Sequence, residues 1–363
     1  METAIQKMRI FGWDTHFEGL KASANTQHGR IIEEHRGLYK LWTPEGECHA
    51  ELPGRFLHDA HQREDFPAVG DWIAYQRSPQ DERAQITSLL PRKSKLSRQA
   101  AGQKTQEQII AANIDYVFLV SSLNEDLNIR RLERYLLMAW ESGAQPRIVL
   151  TKSDLCEDPA PIIEAIEPIA WGVPIFTLSA LDGEGIEPLK EAIPEGKTAV
   201  FVGSSGVGKS TLLNALLGEQ RQKTREVRDI LSKGKHTTTS RSLFQIPGAG
   251  MVIDTPGMRE LQLWDGQGQL DHTFEDIKAF EGACRFRDCQ HENEPGCAIQ
   301  QAIDDGELTM ERYQSYLKLQ RELAYQERKQ DVAAQQDTKK RWKQITVQMR
   351  QRYKVQKNHK SHS

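Results

Sequence analysis

Gly203-Ser204-Ser205-Gly206-Val207-Gly208-Lys209-Ser210-Thr211 fits the pattern G-x-x-x-x-G-K-[ST]. The apolar run Ala199 to Val202 leads into it and reads as a buried strand. Thr211 to Leu217 leads out with a helical pattern that stops at Gly218. Glycines at these positions let backbone N–H groups wrap a phosphate chain, and the start of the helix adds a favourable dipole. Lys209 is expected to reach the β- and γ-phosphates, and Ser210 to ligate magnesium. A turn that binds nothing would need neither the lysine nor the hydroxyl.

Working outward, strands alternate with helices from Ile114 onward, the mark of a parallel sheet in an α/β fold. Ile114 to Val120 and Pro146 to Leu150 read as buried strands, with Leu132, Tyr135, Leu136 and Ala139 as the apolar face of a helix between them. Pro174 to Leu178 is the next strand. After the phosphate loop come strands near Leu243 to Ile246 and Gly250 to Ile253.

Polar motifs stand at the ends of these strands. Thr151-Lys152-Ser153-Asp154 ends the second. A carboxylate there can accept from guanine N1–H and N2–H, a donor pair that adenine lacks, so Asp154 is expected to select guanine. The aliphatic stem of Lys152 can cover the base. Ser179-Ala180 ends the third strand and can offer backbone groups to the guanine oxygen. Asp254-Thr255-Pro256-Gly257 ends the last, where Asp254 can hold magnesium through water and Gly257 can present an N–H to the γ-phosphate. Singly these motifs are weak, and at successive strand ends around a phosphate loop they are strong.

The set resembles the translation-factor-like GTPases, with a difference in order. Those proteins place the phosphate loop first and the base-reading motif late. Here Thr151 to Asp154 and Ser179-Ala180 precede Gly203, so the chain looks circularly permuted, a change tolerated where the original termini lie close together. Thr151 stands where an Asn commonly braces the phosphate loop. Met258 follows Gly257, where a Gln commonly orients the attacking water. His236, before the run Thr237-Thr238-Thr239, is either the catalytic residue that replaces that Gln or a surface histidine. Thr238 and Thr239 are candidate magnesium ligands.

Five short strands precede the α/β region: Gly29 to Glu33, Gly37 to Trp42, Cys48 to Leu52, Val69 to Tyr75 and Ala84 to Leu90. They suit a small barrel such as an OB-fold, either an oligonucleotide binder or a structural barrel. The basic stretch Pro91 to Arg98 reads as a phosphate contact or an exposed linker. Near the C-terminus, Cys284, Cys289, His291 and Cys297 form C-x4-C-x-H-x5-C, the donor set of a closed, structural zinc site. Arg285, Phe286 and Arg287 between the ligands suit a nucleic-acid contact.

Composition agrees with a soluble globular protein. The chain has 363 residues, 38% hydrophobic and 27% charged, with no apolar run long enough to cross a membrane. No apolar signal region opens it, and five cysteines are an odd number, so a reducing, cytoplasmic setting is expected. From Lys339 to Ser363 there are nine Lys/Arg and no Asp/Glu, so the whole-chain net of −3 leaves the remainder at −12. A basic tail on an acidic body suits a polyanionic partner or is a solvated tail.

The combination of Thr151 to Asp154, Gly203 to Thr211, Gly234 to Thr239, Asp254 to Gly257 and the Cys/His set resembles the bacterial small-ribosomal-subunit biogenesis GTPase A family over about residues 28 to 325. The resemblance implies an OB-fold, a permuted GTPase domain and a zinc domain. It also implies binding to the small ribosomal subunit and its rRNA late in maturation, with GTP hydrolysis stimulated by the subunit and coupled to release. The expected division is 1–27 extension, 28–95 OB-fold, 96–265 permuted P-loop GTPase domain, 266–335 zinc-binding helical domain and 336–363 basic tail. The chain is expected to act as a monomer on GTP and GDP with magnesium and one structural zinc. The alternative is a nucleotide-regulated RNA-binding module in which hydrolysis is incidental.

Overall fold

The computed structural model describes residues 2–18, 27–35, 37–59, 63–78, 80–99, 107–124, 127–218, 241–255, 270–271, 273–291 and 294–325. Five strands come first: β1 (Gln27–His35), β2 (Leu38–Thr43), β3 (Gly46–Glu51), β4 (Trp72–Gln76) and β5 (Ala84–Leu89). They pair in the order β1-β2-β3-β5-β4, and β4 returns to β1 to close a barrel. Closure needs a bent strand, and β1 supplies it with a register shift between Ile31 and Glu33. Its first residues, Gln27 to Arg30, pair with β4. The closed five-strand ring is the OB-like barrel expected from the strand spacing.

A two-stranded ribbon, β6 (Lys95–Gln99) and β7 (Glu107–Ala112), leads into the second unit. There β8 (Tyr116–Ser122), β9 (Gln145–Thr151), β10 (Ile175–Leu178), β11 (Thr198–Val202), β12 (Ser242–Gln245) and β13 (Met251–Asp254) lie in the order β10-β9-β8-β11-β13-β12. All are parallel except β12, which runs antiparallel to β13 and touches β1 at Ser242 and Glu33. One sheet therefore runs from the nucleotide-type fold into the barrel.

The parallel strands read as continuous apolar runs because both faces are covered. Period-two alternation sends Phe118, Val120, Val149, Ala199 and Phe201 to one core with Leu212, Leu213 and Leu216. Val117, Leu119, Ile148, Leu150, Val200 and Val202 face the other core, which also takes Leu132 and Leu136 and the C-terminal Phe274, Ile299, Tyr316 and Leu319.

The first residues, with little signal in the sequence, form the helices Glu2–Ile10 and Thr15–Glu18. Met8, Trp13 and Phe17 join Trp72, Ala74 and Leu90 in a separate apolar cluster. Burying a side chain of this size contributes about 1.5–3 kcal/mol, so this segment is a structural part of the barrel's end.

The basic stretch Pro91 to Arg98 is neither a free linker nor an open phosphate contact. Arg92 makes a two-bond pair with fully buried Asp71, at 2.9 and 2.8 Å, and donates to Glu64 O and Phe66 O. Lys93 Nζ bridges Asp14 and Asp115, each at 3.0 Å, and Lys95 reaches Glu107 at 2.8 Å. Arg30, 1% exposed, donates to Gly70 O, Phe11 O and Asn113 O, joining the barrel, the N-terminal segment and the start of the α/β unit. No helix among the described residues is long and apolar enough to cross a membrane.

Candidate functional site

The sheet carries its polar motifs at one edge. Register pairs Ser122 with Thr151, Thr151 with Leu178, Leu119 with Val202 and Val200 with Ile253. The C-terminal ends of β9, β10, β11 and β13 therefore lie along one side of the sheet, and Thr151–Asp154, Ser179-Ala180, Gly203–Thr211 and Asp254 stand at them. That edge is where open α/β sheets bind ligands.

The phosphate loop is shaped by close packing. A Cβ on Gly203 would stand 2.2 Å from Val120 O, so only glycine lets β11 end against β8. Gly206 and Gly208 have φ of +87° and +94°, and the helix Lys209–Leu217 starts directly after. Val207 between them is 1% exposed and anchors the loop in the apolar core. Lys209 Nζ donates to Gly203 O at 2.5 Å and to Ser204 O. Burial holds its pKa below the ordinary lysine value. The ammonium thus sits among carbonyl dipoles in a half-buried pocket, which favours the arrival of an anion. Ser205, Ser210 and Thr211 are exposed at the mouth.

Thr151 does the bracing that an Asn amide would do. Its hydroxyl lies 2.6 Å from Val207 O and 3.2 Å from Ser121 O, while the residue is 2% exposed. The stretch Thr151–Asp154 is thereby tied to the loop Gly203–Thr211. Lys152, next in the chain, adopts φ of +60°, in the left-handed region that non-glycine residues seldom enter. Such strain persists where the surroundings enforce it and often marks a functional turn. Ser153 Oγ is buried without a hydrogen-bond partner among the described residues, and Asp154 is exposed.

On the neighbouring strand end, Ser179 Oγ donates to Asp182 Oδ2 at 2.9 Å and accepts from Asp182 N at 3.3 Å. Ser179 N donates to Glu184 O, closing the loop. Gly185 makes this possible, since a Cβ there would meet Thr177 O at 2.5 Å. Asp254 ends β13, half-buried and in register with Ser242. His236, Thr238, Thr239, Gly257 and Met258 lie outside the described residues, as does the basic tail.

One contact had no sequence signal. Arg131, on the helix Ile129–Glu141, donates to Ser204 Oγ of the phosphate loop. The apolar face of that helix was legible, but a partner 73 residues away was not.

Cys284, Cys289, His291 and Cys297 come together as a cluster that could hold a metal ion, their ligand atoms all within 4.8 Å of one another. Cys284 Sγ and Cys297 Sγ are each 3.5 Å from His291 Nδ1. A tetrahedral ion with metal–sulfur bonds of about 2.3 Å and metal–nitrogen bonds of about 2.0–2.1 Å sets such atoms about 3.6 Å apart. The donors fit a metal in type, and the Cys284–His291 and Cys297–His291 pairs fit one in spacing. His291 holds its place at φ of +62°, its carbonyl accepting from Gln300 Nε2 at 2.8 Å. Phe286, between the ligands, is 44% exposed with the Arg285 guanidinium 5.5 Å from its ring centre.

Comparison with known proteins follows the same lines. The family description "RsgA GTPase" matches residues 89–264, and a second, "ABC transporter", matches 186–357, a stretch that includes the phosphate loop. The small ribosomal subunit biogenesis GTPase RsgA 1 of Oceanobacillus iheyensis is 48% identical over 322 residues, covering 88% of this chain and 92% of its own length. The small ribosomal subunit biogenesis GTPase RsgA of Opitutus terrae is 43% identical over 357 residues, covering 95% and 97%. Among solved structures, YjeQ from Thermotoga maritima superposes with a TM-score of 0.61 at 29% identity, covering 82% of this chain and 99% of that one. YloQ, described as a circularly permuted GTPase, superposes at 0.58 with 27% identity, covering 84% and 98%.

Proposed function

The chain belongs to the RsgA GTPase family, and from that premise we propose that it binds the small ribosomal subunit late in maturation and hydrolyses GTP there, with hydrolysis stimulated by the subunit and coupled to release. The single observation that carries the nucleotide chemistry is the convergence of four polar motifs on one sheet edge, with Thr151 tying the base-reading stretch to the phosphate loop. The fold is a circularly permuted GTPase with an OB-like barrel before it.

In this reading, Asp154 accepts the two guanine N–H donors and the stem of Lys152 covers the base, with backbone at Ser179-Ala180 near the guanine oxygen. Backbone N–H groups of Gly203 to Ser210 hold the phosphates, and Lys209 exchanges its carbonyl partners for the β- and γ-oxygens. Magnesium, when bound, neutralises charge that develops on the phosphate oxygens. Ser210 and Asp254 are the described residues assigned to it, with Thr238 or Thr239 from the segment before β12. Gly257 senses the γ-phosphate, and His236 is assigned to the attacking water in place of a Gln at Met258.

The metal centre is assigned to zinc, held by Cys284, Cys289, His291 and Cys297 as a closed structural site. Arg285, Phe286 and Arg287 and the basic tail are assigned to rRNA. The domain division is 1–27, 28–95, 96–265, 266–335 and 336–363, and the protein works as a cytoplasmic monomer. The test is GTP turnover with and without purified small subunits. Stimulation by subunits is expected. Turnover that subunits leave unchanged, with binding intact, would instead identify an RNA-binding module in which hydrolysis is incidental.

A further inference from the structure

One helix touches both the phosphate loop and the C-terminal unit. Ile129–Glu141 is capped by Asn128, whose side chain accepts from Arg131 N at 3.0 Å. Its positions 130, 133 and 134 share a face by the i, i+3, i+4 rule, and 131 stands roughly a quarter turn away. From the first face, Arg130 donates to Glu311 O, and Arg134 pairs with Glu322 at 2.7 Å. Between them Glu133, 1% exposed, takes Arg312 Nη1 on one oxygen at 2.7 Å and Ser315 Oγ on the other. Glu311, Arg312, Ser315 and Glu322 all belong to the helix over 310–325.

Arg312 extends the clamp. It donates to both oxygens of Asp276 at 3.0 Å and to Thr273 O at 2.9 Å, so it binds the helix Glu275–Glu281 that precedes the metal centre. A buried carboxylate and guanidinium satisfied on every side hold one geometry, because any shift that leaves a charge unpaired is costly. Leu132, Tyr135, Leu136 and Ala139 pack the same helix into the main core. The helix therefore responds to its neighbours as a rigid rod.

Arg131 ends in the phosphate loop. Ser204 offers its hydroxyl to Arg131 and its carbonyl to Lys209, the residue assigned to the phosphates. A displacement of the rod would move the hydroxyl partner of Ser204 and, through Ser204, the pocket of Lys209. We infer that Arg131 is a positioning residue for the phosphate loop, and that the C-terminal unit sets its position through the clamp on Glu133 and Arg134. This inference rests on the reading of Gly203 to Thr211 as a guanine-nucleotide site. By linkage, the nucleotide then biases how the C-terminal unit docks by as much as docking biases the nucleotide.

The test uses the full zinc-loaded chain without ribosomes, so it is separate from subunit stimulation. Dissociation constants for a non-hydrolysable GTP analogue and for GDP are measured for Glu322→Arg, for Arg312→Gln, for Arg131→Ala and for each clamp variant combined with Arg131→Ala. Glu322→Arg changes a partly exposed pair and serves where Arg312→Gln fails to fold, with zinc content and melting temperature as controls. Each clamp variant is expected to shift the ratio of the two constants by about five-fold or more, the low end of measured couplings. In the Arg131→Ala background the same substitution should shift it by less than about two-fold. Arg131→Lys should restore part of the shift. Equal shifts in both backgrounds, or no shift in either, would overturn the coupling through Arg131. A chain that binds neither nucleotide would sink the underlying site reading as well, a result distinct from these.

Discussion

Lys209 and Arg92 are both partly buried cations, and their partners differ in kind. Arg92 has a carboxylate in two-bond contact and two further carbonyls, all supplied by the chain. Lys209 has two carbonyls of its own loop, and burial depresses its pKa. A cation whose charge is matched inside the fold holds the fold together. A cation among neutral dipoles at the mouth of a loop is placed to meet a charge from outside. The Cys284, Cys289, His291 and Cys297 cluster, proposed above as a zinc site, is the extreme of the second kind, with three sulfurs and an imidazole facing one another.

Removing the outside partner from that centre should give the largest effect. Structural zinc contributes roughly 10–16 kcal/mol of apparent binding energy in small domains. Chelation of the native protein should therefore unfold the C-terminal unit, read as lost helical circular dichroism, while guanine nucleotide still binds. Metal analysis that finds no zinc in native protein would break the comparison at this end.

Next comes the matched pair. Arg92→Ala leaves Asp71 buried and charged without its partner, and should cost about 3–5 kcal/mol of stability in denaturant unfolding. The folded fraction should bind GTP as the parent does. If GTP affinity falls and stability holds, Arg92 belongs with Lys209 and the sorting by partner is wrong.

Asp154 tests the open kind at the base. Asp154→Asn should weaken GTP by about 1.5–3 kcal/mol, the usual value of hydrogen bonds to a charged group. That is roughly 10- to 150-fold. It should also favour xanthine nucleotides, whose added carbonyl pairs with the amide. Titration of both nucleotides decides it, and unchanged GTP affinity removes Asp154 from base recognition.

The same division explains what could be read from the sequence. Gly203 to Thr211 and Cys284 to Cys297 are local, so spacing alone reveals donor sets suited to a phosphate and to a metal. The strands of the barrel and sheet were legible because short strand-like runs, the turns between them and buried apolar runs are local too. Arg92 was not legible, because its role depends on Asp71, 21 positions away, which only barrel closure brings near. Arg30 and Trp13 were hidden for the same reason: their neighbours come from three separate segments. β12 was expected among parallel strands and runs antiparallel, since its connection to β13 is a short turn through Gly248 and Gly250 that leaves no room for a crossover.

Thr151 lies between the two kinds, and its effect should be the smallest. Its partner is internal, Val207 O, yet the loop it braces is the one assigned above to the nucleotide phosphates. Thr151→Val keeps the shape and removes the donor, which is worth about 0.5–1.5 kcal/mol for an ordinary hydrogen bond. If the bond only held the fold, that loss would appear in unfolding and leave nucleotide affinity alone. If it pre-shapes the phosphate loop, part of the loss should appear as weaker binding of GTP and GDP alike, by a few-fold, because both occupy the loop. Asp154→Asn should differ from it by changing which base binds. Equal loss for every nucleotide on Thr151→Val, with base preference kept, would mark Thr151 as a brace. A change in base preference would move it into base recognition, and tight binding with only lower stability would return it to the fold, beside Arg92.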